Sequence, residues 1–214
     1  MQTPFTAQQF FDVFREYNEA VWPMQVVFYA LAVIMVAFVV RSRSATTSRV
    51  AGALLSLLWL WMGIVYHLTF FRTINPLATA FGVLFIIQAV LFGWFGVWTS
   101  RLSFHPQIGW NGIMGWVLLT YALVAYPLLG YAFGQRYPSV PTFGLPCPTT
   151  IFTIGLLLWA DRSLPKILLI IPIAWSVLGL SAAISLGVRE DFGLFVAGLF
   201  AAMLLFRRVP SRSL

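Results

Sequence analysis

The sequence predicts an all-α integral membrane protein with seven transmembrane helices, preceded by an amphipathic surface helix. Three observations support this class: the composition, seven apolar runs, and the distribution of basic residues between them. The 214-residue chain is 60% apolar and only 9% charged, whereas a soluble domain is about 25% charged. A soluble core of this length would be unable to bury so much apolar surface, which excludes an ordinary globular domain.

Seven apolar runs account for the predicted spans. Five are long enough to cross a bilayer and two are shorter but bounded by charge. The long runs are Pro23–Val40, Val50–Phe71, Pro76–Trp98, Ile113–Phe133 and Pro165–Leu186, and the short runs are Pro148–Ala160 and Phe192–Phe206. An odd number of spans places the two termini on opposite sides. We expect no signal peptide, because Asp12, Arg15, Glu16 and Glu19 occupy its place.

The basic residues predict the orientation. With the N-terminus outside, nine basic residues fall inside (Arg41, Arg43, Arg49, Arg101, Arg162, Lys166, Arg207, Arg208, Arg212) and four outside (Arg15, Arg72, Arg136, Arg189). This asymmetry is the one that the positive-inside rule requires. The formal charge of +7 is therefore explained by topology, and no nucleic-acid partner is expected.

The segment Thr6–Val21 predicts a short amphipathic helix before the first span. Thr6 and Gln9 have the spacing of a capping box, and Phe10, Phe14, Tyr17 and Val21 form an apolar stripe. The acids Asp12, Glu16 and Glu19 lie on the other face. We predict that residues 1–21 form a periplasmic helix on the membrane surface, with an acidic lid over a cation entrance as the alternative. Residues 22–214 form a single transmembrane domain.

Small residues predict which helix faces pack inside the bundle. The second span carries Gly52, Ser56, Gly63 and His67 within a narrow arc, and the third and sixth spans carry comparable stripes of glycine, alanine and serine. His67 therefore points into the bundle, where an ionisable group is a candidate functional residue. The alternative is a histidine that only hydrogen-bonds a neighbouring helix.

The stretch GLPCPTTIFT, Gly144–Thr153, places the only cysteine between two prolines. The run Pro148–Ala160 is too short to cross a bilayer, and prolines break the backbone before it. We predict that Pro148 begins a short helix whose free N–H groups face a cavity that suits anionic groups. The residues that would line this outer vestibule are His67, Cys147, Thr149, Thr150, Asn75 and Tyr66. The alternative is a closed outer surface without a ligand.

Other functional classes leave little trace in the sequence. Cys147 and His67 suggest a soft metal, but a site needs three or four ligands and only two are evident, so the metal remains unknown. The only lysine, Lys166, lies at the end of a span, which excludes a buried retinal Schiff base. No motif for a cofactor is found, and no catalytic residue can be assigned. A membrane enzyme is the third functional alternative.

The segment FTAQQFFDVFREYNEAVWP at Phe5–Pro23 and the PCPTT element at Pro146–Thr150 carry a family resemblance. With them, the chain resembles an uncharacterised family of small bacterial polytopic membrane proteins, known only as a domain of unknown function. The resemblance covers essentially the whole chain. It implies a multi-pass protein of the bacterial inner membrane, and it implies no activity.

Together, these observations predict an inner-membrane protein that binds or transports a small solute or ion through a periplasm-facing vestibule. The alternative is a non-catalytic accessory protein that supports a partner complex. Such a chain is expected to lie in a lipid bilayer. The sequence leaves open whether it binds a protein partner or forms a homo-oligomer.

Overall fold

A computed structural model describes residues 4–161 and 164–206, which form helices and no β-strand. Four of the basic residues used to predict the orientation, Arg162, Arg207, Arg208 and Arg212, lie outside the described residues. The helices are α1 (Ala7–Ala20), α2 (Met24–Arg41), α3 (Ala45–Trp61), α4 (Ala78–Phe92), α5 (Trp110–Thr120), α6 (Tyr126–Ala132), α7 (Pro146–Leu158), α8 (Ile167–Leu186) and α9 (Phe192–Phe206).

Three helices continue through wider, π-helical turns. Met62–Phe70 extends α3 and is followed by a 3₁₀ turn at Phe71–Thr73, Gly93–Trp98 extends α4, and Tyr121–Ala125 joins α5 to α6. Another 3₁₀ turn, Arg189–Asp191, links α8 to α9.

Five helical segments are long and apolar enough to cross a membrane. They are Met24–Arg41, Ala45–Thr73, Ala78–Trp98, Trp110–Ala132 and Ile167–Leu186. The prediction of an all-helical chain with several candidate spans is therefore confirmed. Helices α7 and α9 have 13 and 15 residues, so α7 covers roughly 20 Å against a hydrocarbon core of about 30 Å.

Helix α1 has the predicted capping box: the Thr6 hydroxyl accepts from Gln9 N, and the Gln9 side chain accepts from Thr6 N. Its apolar stripe packs on protein. The rings of Phe10 and Phe71 lie 5.9 Å apart, and those of Tyr17 and Tyr66 lie 5.7 Å apart. Helix α1 thus covers one end of the bundle, which we call the α1 end. This end also holds the segment 133–145 and the turn Arg189–Asp191.

Helix α7 runs through the middle of the bundle. All of its residues are buried except Cys147, which is half-buried. The Trp59 indole of α3 donates to the Thr153 hydroxyl at 3.0 Å, and Gly155 lies against Leu119 of α5. Because protein surrounds α7, its short length leaves no polar backbone facing lipid.

Helices α3 and α4 pack through facing glycines, as the small-residue stripe predicts. A Cβ added to Gly52 would lie 2.7 Å from the Gly96 Cα, and one added to Gly63 would lie 2.9 Å from the Gly82 carbonyl oxygen. The Ser56 hydroxyl donates to the Ala89 carbonyl at 2.8 Å. Close backbone contact and interhelical hydrogen bonds are the main means of helix association in lipid.

The glycine contact yields a test of the α3–α4 packing. Gly52→Ala must push two backbones apart, so we expect a loss of unfolding free energy of about 1–3 kcal/mol, as for an overpacked core. Gly93→Ala is the matched control, because its Cβ would meet only the Ser56 hydroxyl at 3.4 Å. Thermal unfolding in detergent compares the two variants. Equal stability losses would contradict the packing described above.

Candidate functional site

Helix α7 begins two residues earlier than predicted, at Pro146, with Leu145 as N-cap. Prolines occupy the first and third helical positions, where the backbone N–H lacks an intrahelical partner. The next N–H, that of Thr149, donates to the Leu145 carbonyl at 3.3 Å. Only Cys147 contributes an N–H among the first three helical residues. The helix start therefore does not supply the set of free N–H groups that the predicted anion site required.

Two buried acids lie close to this helix start. Glu190 and Asp191 are each 1% exposed, although they belong to the short turn between α8 and α9. The Tyr126 hydroxyl donates to Asp191 Oδ1 at 2.6 Å, and the Tyr121 hydroxyl donates to the Glu190 carbonyl at 2.8 Å. The Cys147 thiol also lies beside the Asp191 carboxylate. Acidic groups beside Cys147 disfavour an anionic ligand at this position.

The environments of the two carboxylates differ. Burial raises the pKa of Asp191 to about 7, although hydrogen bonding by Tyr126 and Cys147 opposes this rise. Burial also raises the pKa of Glu190, and the Gln135 side chain beside it opposes that rise. Neither Glu190 carboxylate oxygen has a hydrogen-bond partner of ordinary geometry among the described residues. Within 4–161 and 164–206, no basic side chain forms an ion pair with either acid.

Asn18 of α1 anchors the segment 133–145 over this region. Its amide nitrogen donates to the carbonyls of Pro138 and Val140 at 2.6 and 2.8 Å. Its Oδ1 accepts from the Thr142 hydroxyl at 2.7 Å and from Gln25 Nε2 at 3.2 Å. Asn18 is fully buried, and this network fixes α1, α2 and the loop relative to one another.

A cavity of about 420 Å³ lies between α2, the α5–α6 region, the 133–145 loop and the start of α7. Its polar side chains include Gln25, Gln135 and Glu190, and its aromatic residues are Trp22, Tyr29, Tyr126, Tyr131, Tyr137 and Phe143. Gln25 Oε1, Gln135 Oε1 and both Glu190 carboxylate oxygens are buried and lack a hydrogen-bond partner within the described part of the chain. We call this cavity the acidic cavity.

A smaller cavity of about 160 Å³ lies on the other side of the α7 start, beneath α1. Its walls are mostly aromatic and aliphatic. Three of the predicted site residues line it, namely Tyr66, Asn75 and Cys147. Pro141 borders both cavities, so the loop and the α7 start separate them. We call this second space the aromatic cavity.

The other three predicted site residues line neither cavity. Thr149 is buried and accepts a hydrogen bond from Gly144 N at 3.0 Å. Thr150 is also buried, and its hydroxyl is unpaired among the described residues. His67 is fully buried between aromatic rings, with the Phe85 and Trp175 ring centres 4.6 and 5.2 Å away. Its two ring nitrogens contact no hydrogen-bonding group of the described chain.

The acidic cavity also contains residues that were not among the predicted site residues. Gln25 lies within an apolar run, and a lone amide in such a run is a signal for an interhelical contact or a ligand. Glu190 and Asp191 sit next to Arg189, so charge alone predicts a water-facing turn. A metal site is not evident, because the described residues contain no group of three or more His, Cys, Asp or Glu side chains placed to bind an ion.

The fold and cavities define an all-helical protein with several helices suited to a membrane and a buried acid beside a cavity. The chain belongs to a family described as a family of unknown function (DUF6064), which matches residues 7–214. The resemblance to an uncharacterised family is therefore confirmed, while the special role of the PCPTT element remains a prediction. No curated protein and no solved structure matches the chain.

His67 provides a test of the aromatic packing. Phenylalanine preserves the ring and removes two buried nitrogens without partners, so His67→Phe should leave unfolding free energy unchanged or raise it by about 1 kcal/mol. His67→Ala creates a cavity and should lower it by about 2 kcal/mol or more. Thermal unfolding measures both. A loss in His67→Phe as large as that in His67→Ala would show that the imidazole nitrogens do have partners.

Proposed function

We propose that this protein binds a small solute in the acidic cavity and takes it up from the outer side of a bacterial inner membrane. In this proposal α7 and α9 complete a seven-helix bundle, and the α1 end faces the periplasm. The described charges agree with that orientation chiefly through the acids. Five of the six acids, Asp12, Glu16, Glu19, Glu190 and Asp191, lie at the α1 end, while the described basic residues divide five to four in favour of the opposite end.

The observation that carries the proposal is the set of unpaired buried oxygens around one cavity. A buried polar group without a partner costs about 1–3 kcal/mol, and a buried charge costs more. Gln25 and Glu190 both have such unpaired oxygens, and both line the same cavity. A solute that hydrogen-bonds to these oxygens would offset it. The cavity volume of about 420 Å³ also lies in the usual range for ligand pockets.

The acidic cavity also has a route to the surface. Trp22, Tyr131 and Tyr137 line it and are 61%, 64% and 52% exposed. Glu190, which is buried, lines the same cavity. A solute would therefore pass an aromatic rim before it reaches the carboxylate. Amphipathic tyrosine and tryptophan side chains suit such a position between water and an apolar interior.

Cysteine labelling tests two properties of the acidic cavity: whether a small reagent can enter it, and from which side of the membrane. In a Cys147→Ser background, Val140→Cys places one thiol in the wall of the acidic cavity. A small membrane-impermeant thiol reagent added to the outside of intact spheroplasts should label it. A bound solute should slow that labelling, because it occupies the same space.

Two control variants define the outcomes. Ile154→Cys lies within buried α7 and should react only after unfolding, whereas Thr46→Cys is exposed at the opposite end and should react only from inside. If Val140→Cys reacts only after unfolding, the outer half is closed, which supports the accessory role and overturns the solute proposal. Labelling from the inside alone would overturn the orientation.

A further inference from the structure

We infer that the solute of the acidic cavity is a small organic cation with an N–H-bearing ammonium group, held by Glu190 and Gln25. This inference rests on the proposed function and adds the chemical class of the solute. It follows from the hydrogen-bonding character of the unpaired atoms, the charge of the site and the nature of the cavity walls.

The unpaired polar atoms identified in this cavity are all oxygen atoms that can accept a hydrogen bond. They are Gln25 Oε1, Gln135 Oε1 and the two carboxylate oxygens of Glu190. A Cβ on Gly130 would lie 3.3 Å from both Gln135 Oε1 and Glu190 Oε1, so these two side chains meet beside the same glycine. Acceptors placed together need a ligand with several donors, and an ammonium group supplies up to three N–H bonds.

The orientation of the Gln25 amide is fixed by its surroundings. Its nitrogen donates to the Asn18 backbone carbonyl at 2.7 Å and to Asn18 Oδ1 at 3.2 Å. Asn18 is itself fixed, because its amide nitrogen faces the carbonyls of Pro138 and Val140. A flipped Gln25 amide would place oxygen against oxygen. The acceptor end of Gln25 is therefore the end left without a partner.

The charge of the site also favours a cation. Two arginines near it in the chain are engaged elsewhere: the Arg136 guanidinium is exposed, lies 3.8 Å from the Tyr131 ring centre and donates to the Tyr131 carbonyl at 2.7 Å. Arg189 lies 5.5 Å from the Phe133 ring centre. Exposed charges of this kind are screened by water and salt. A buried carboxylate without a counter-ion attracts a cation more strongly, because the surrounding dielectric is low.

An organic cation fits this cavity better than a metal ion does. The described residues offer no group of three or more ionisable metal ligands, and hard cations require six or more oxygen ligands. The cavity also holds far more volume than a bare ion needs. Its walls are rich in aromatic side chains, including Tyr29, Tyr126 and Phe143, and such apolar walls suit the carbon chain of an organic cation.

The test uses the purified full-length protein in detergent and a matched set of four-carbon solutes. Isothermal titration calorimetry measures the binding of butylammonium, butyramide, butyrate and butanol, with tetramethylammonium and potassium chloride as further probes. We expect butylammonium to bind at least tenfold more tightly than each of the others. Tetramethylammonium carries the charge but no N–H group, so it separates charge attraction from hydrogen bonding.

Three substitutions connect the binding to the named residues. Glu190→Gln should weaken butylammonium binding at least tenfold, and Gln25→Leu should weaken it severalfold, because each removes an acceptor. Glu16→Gln is the control: this acid is exposed on α1, so its loss should change affinity less than twofold. A thermal unfolding midpoint within a few degrees of wild type confirms that each variant is folded. If Glu190→Gln fails this criterion, Gln25→Leu carries the test.

The outcomes separate this inference from the proposed function. Preferential binding of butyramide, butyrate or potassium, with protection of Val140→Cys, would overturn the cation class and leave the solute site in place. An accessible Val140→Cys with no binding of butylammonium would also overturn the cation class. An inaccessible Val140→Cys would overturn both. Butylammonium affinity unchanged in both Glu190→Gln and Gln25→Leu would show that it binds elsewhere.

Discussion

The enclosure of α7 by protein is the constraint on which the rest of the structure depends. A helix of 13 residues is too short to span a hydrocarbon core, and irregular backbone at that depth is stable only when protein or a polar cavity surrounds it. The chain satisfies this requirement with a ring of longer helices. The hydrogen bond between Trp59 and Thr153 and the contact between Gly155 and Leu119 join α7 to that ring.

The proline pair solves a second problem at the same place. A helix that begins inside an apolar bundle exposes backbone N–H groups, each costly if unpaired. Pro146 and Pro148 remove two of these donors. The space above the helix start is then occupied by the 133–145 loop, which Asn18 holds in place. Two cavities remain on either side of this start, and the turn Arg189–Asp191 places the buried Glu190 in the wall of the acidic cavity.

The sequence predicts most of the helices because the length of each apolar run and the charges that flank it determine where a helix lies. Helix α9 has its predicted limits, and the capping box of α1 forms as its spacing indicates. The predicted start of α7 lies two residues after the observed one, since proline fits both the first and third helical positions and the sequence offers no polar cap to choose between them. The apolar stripe of α1 predicts a helix on the membrane surface, but Tyr66 and Phe71, from the segment that follows α3, pack against this stripe.

The site was harder to predict because its residues act through tertiary contacts. Tyr66, Asn75 and Cys147 do share a cavity, whereas His67 faces only rings. Nothing local to Glu190 distinguishes it from a surface acid in a charged turn. Its burial follows from the packing of the turn Arg189–Asp191 and the start of α9 against the α5–α6 segment, where the Tyr121 hydroxyl donates to the Glu190 carbonyl. The Gln25 oxygen lacks a partner because the Gln25 amide nitrogen donates to Asn18. Asn18 is in turn held by the 133–145 loop, which is far from it in the sequence.

The most direct measurement of the central claim is an experimental structure of the protein purified with butylammonium. The account predicts density for the ammonium group in the acidic cavity, with nitrogen–oxygen distances of about 2.7–3.2 Å to Glu190 and Gln25. Density in the aromatic cavity alone, or water alone bridging Gln25 and Glu190 at saturating butylammonium, would contradict it.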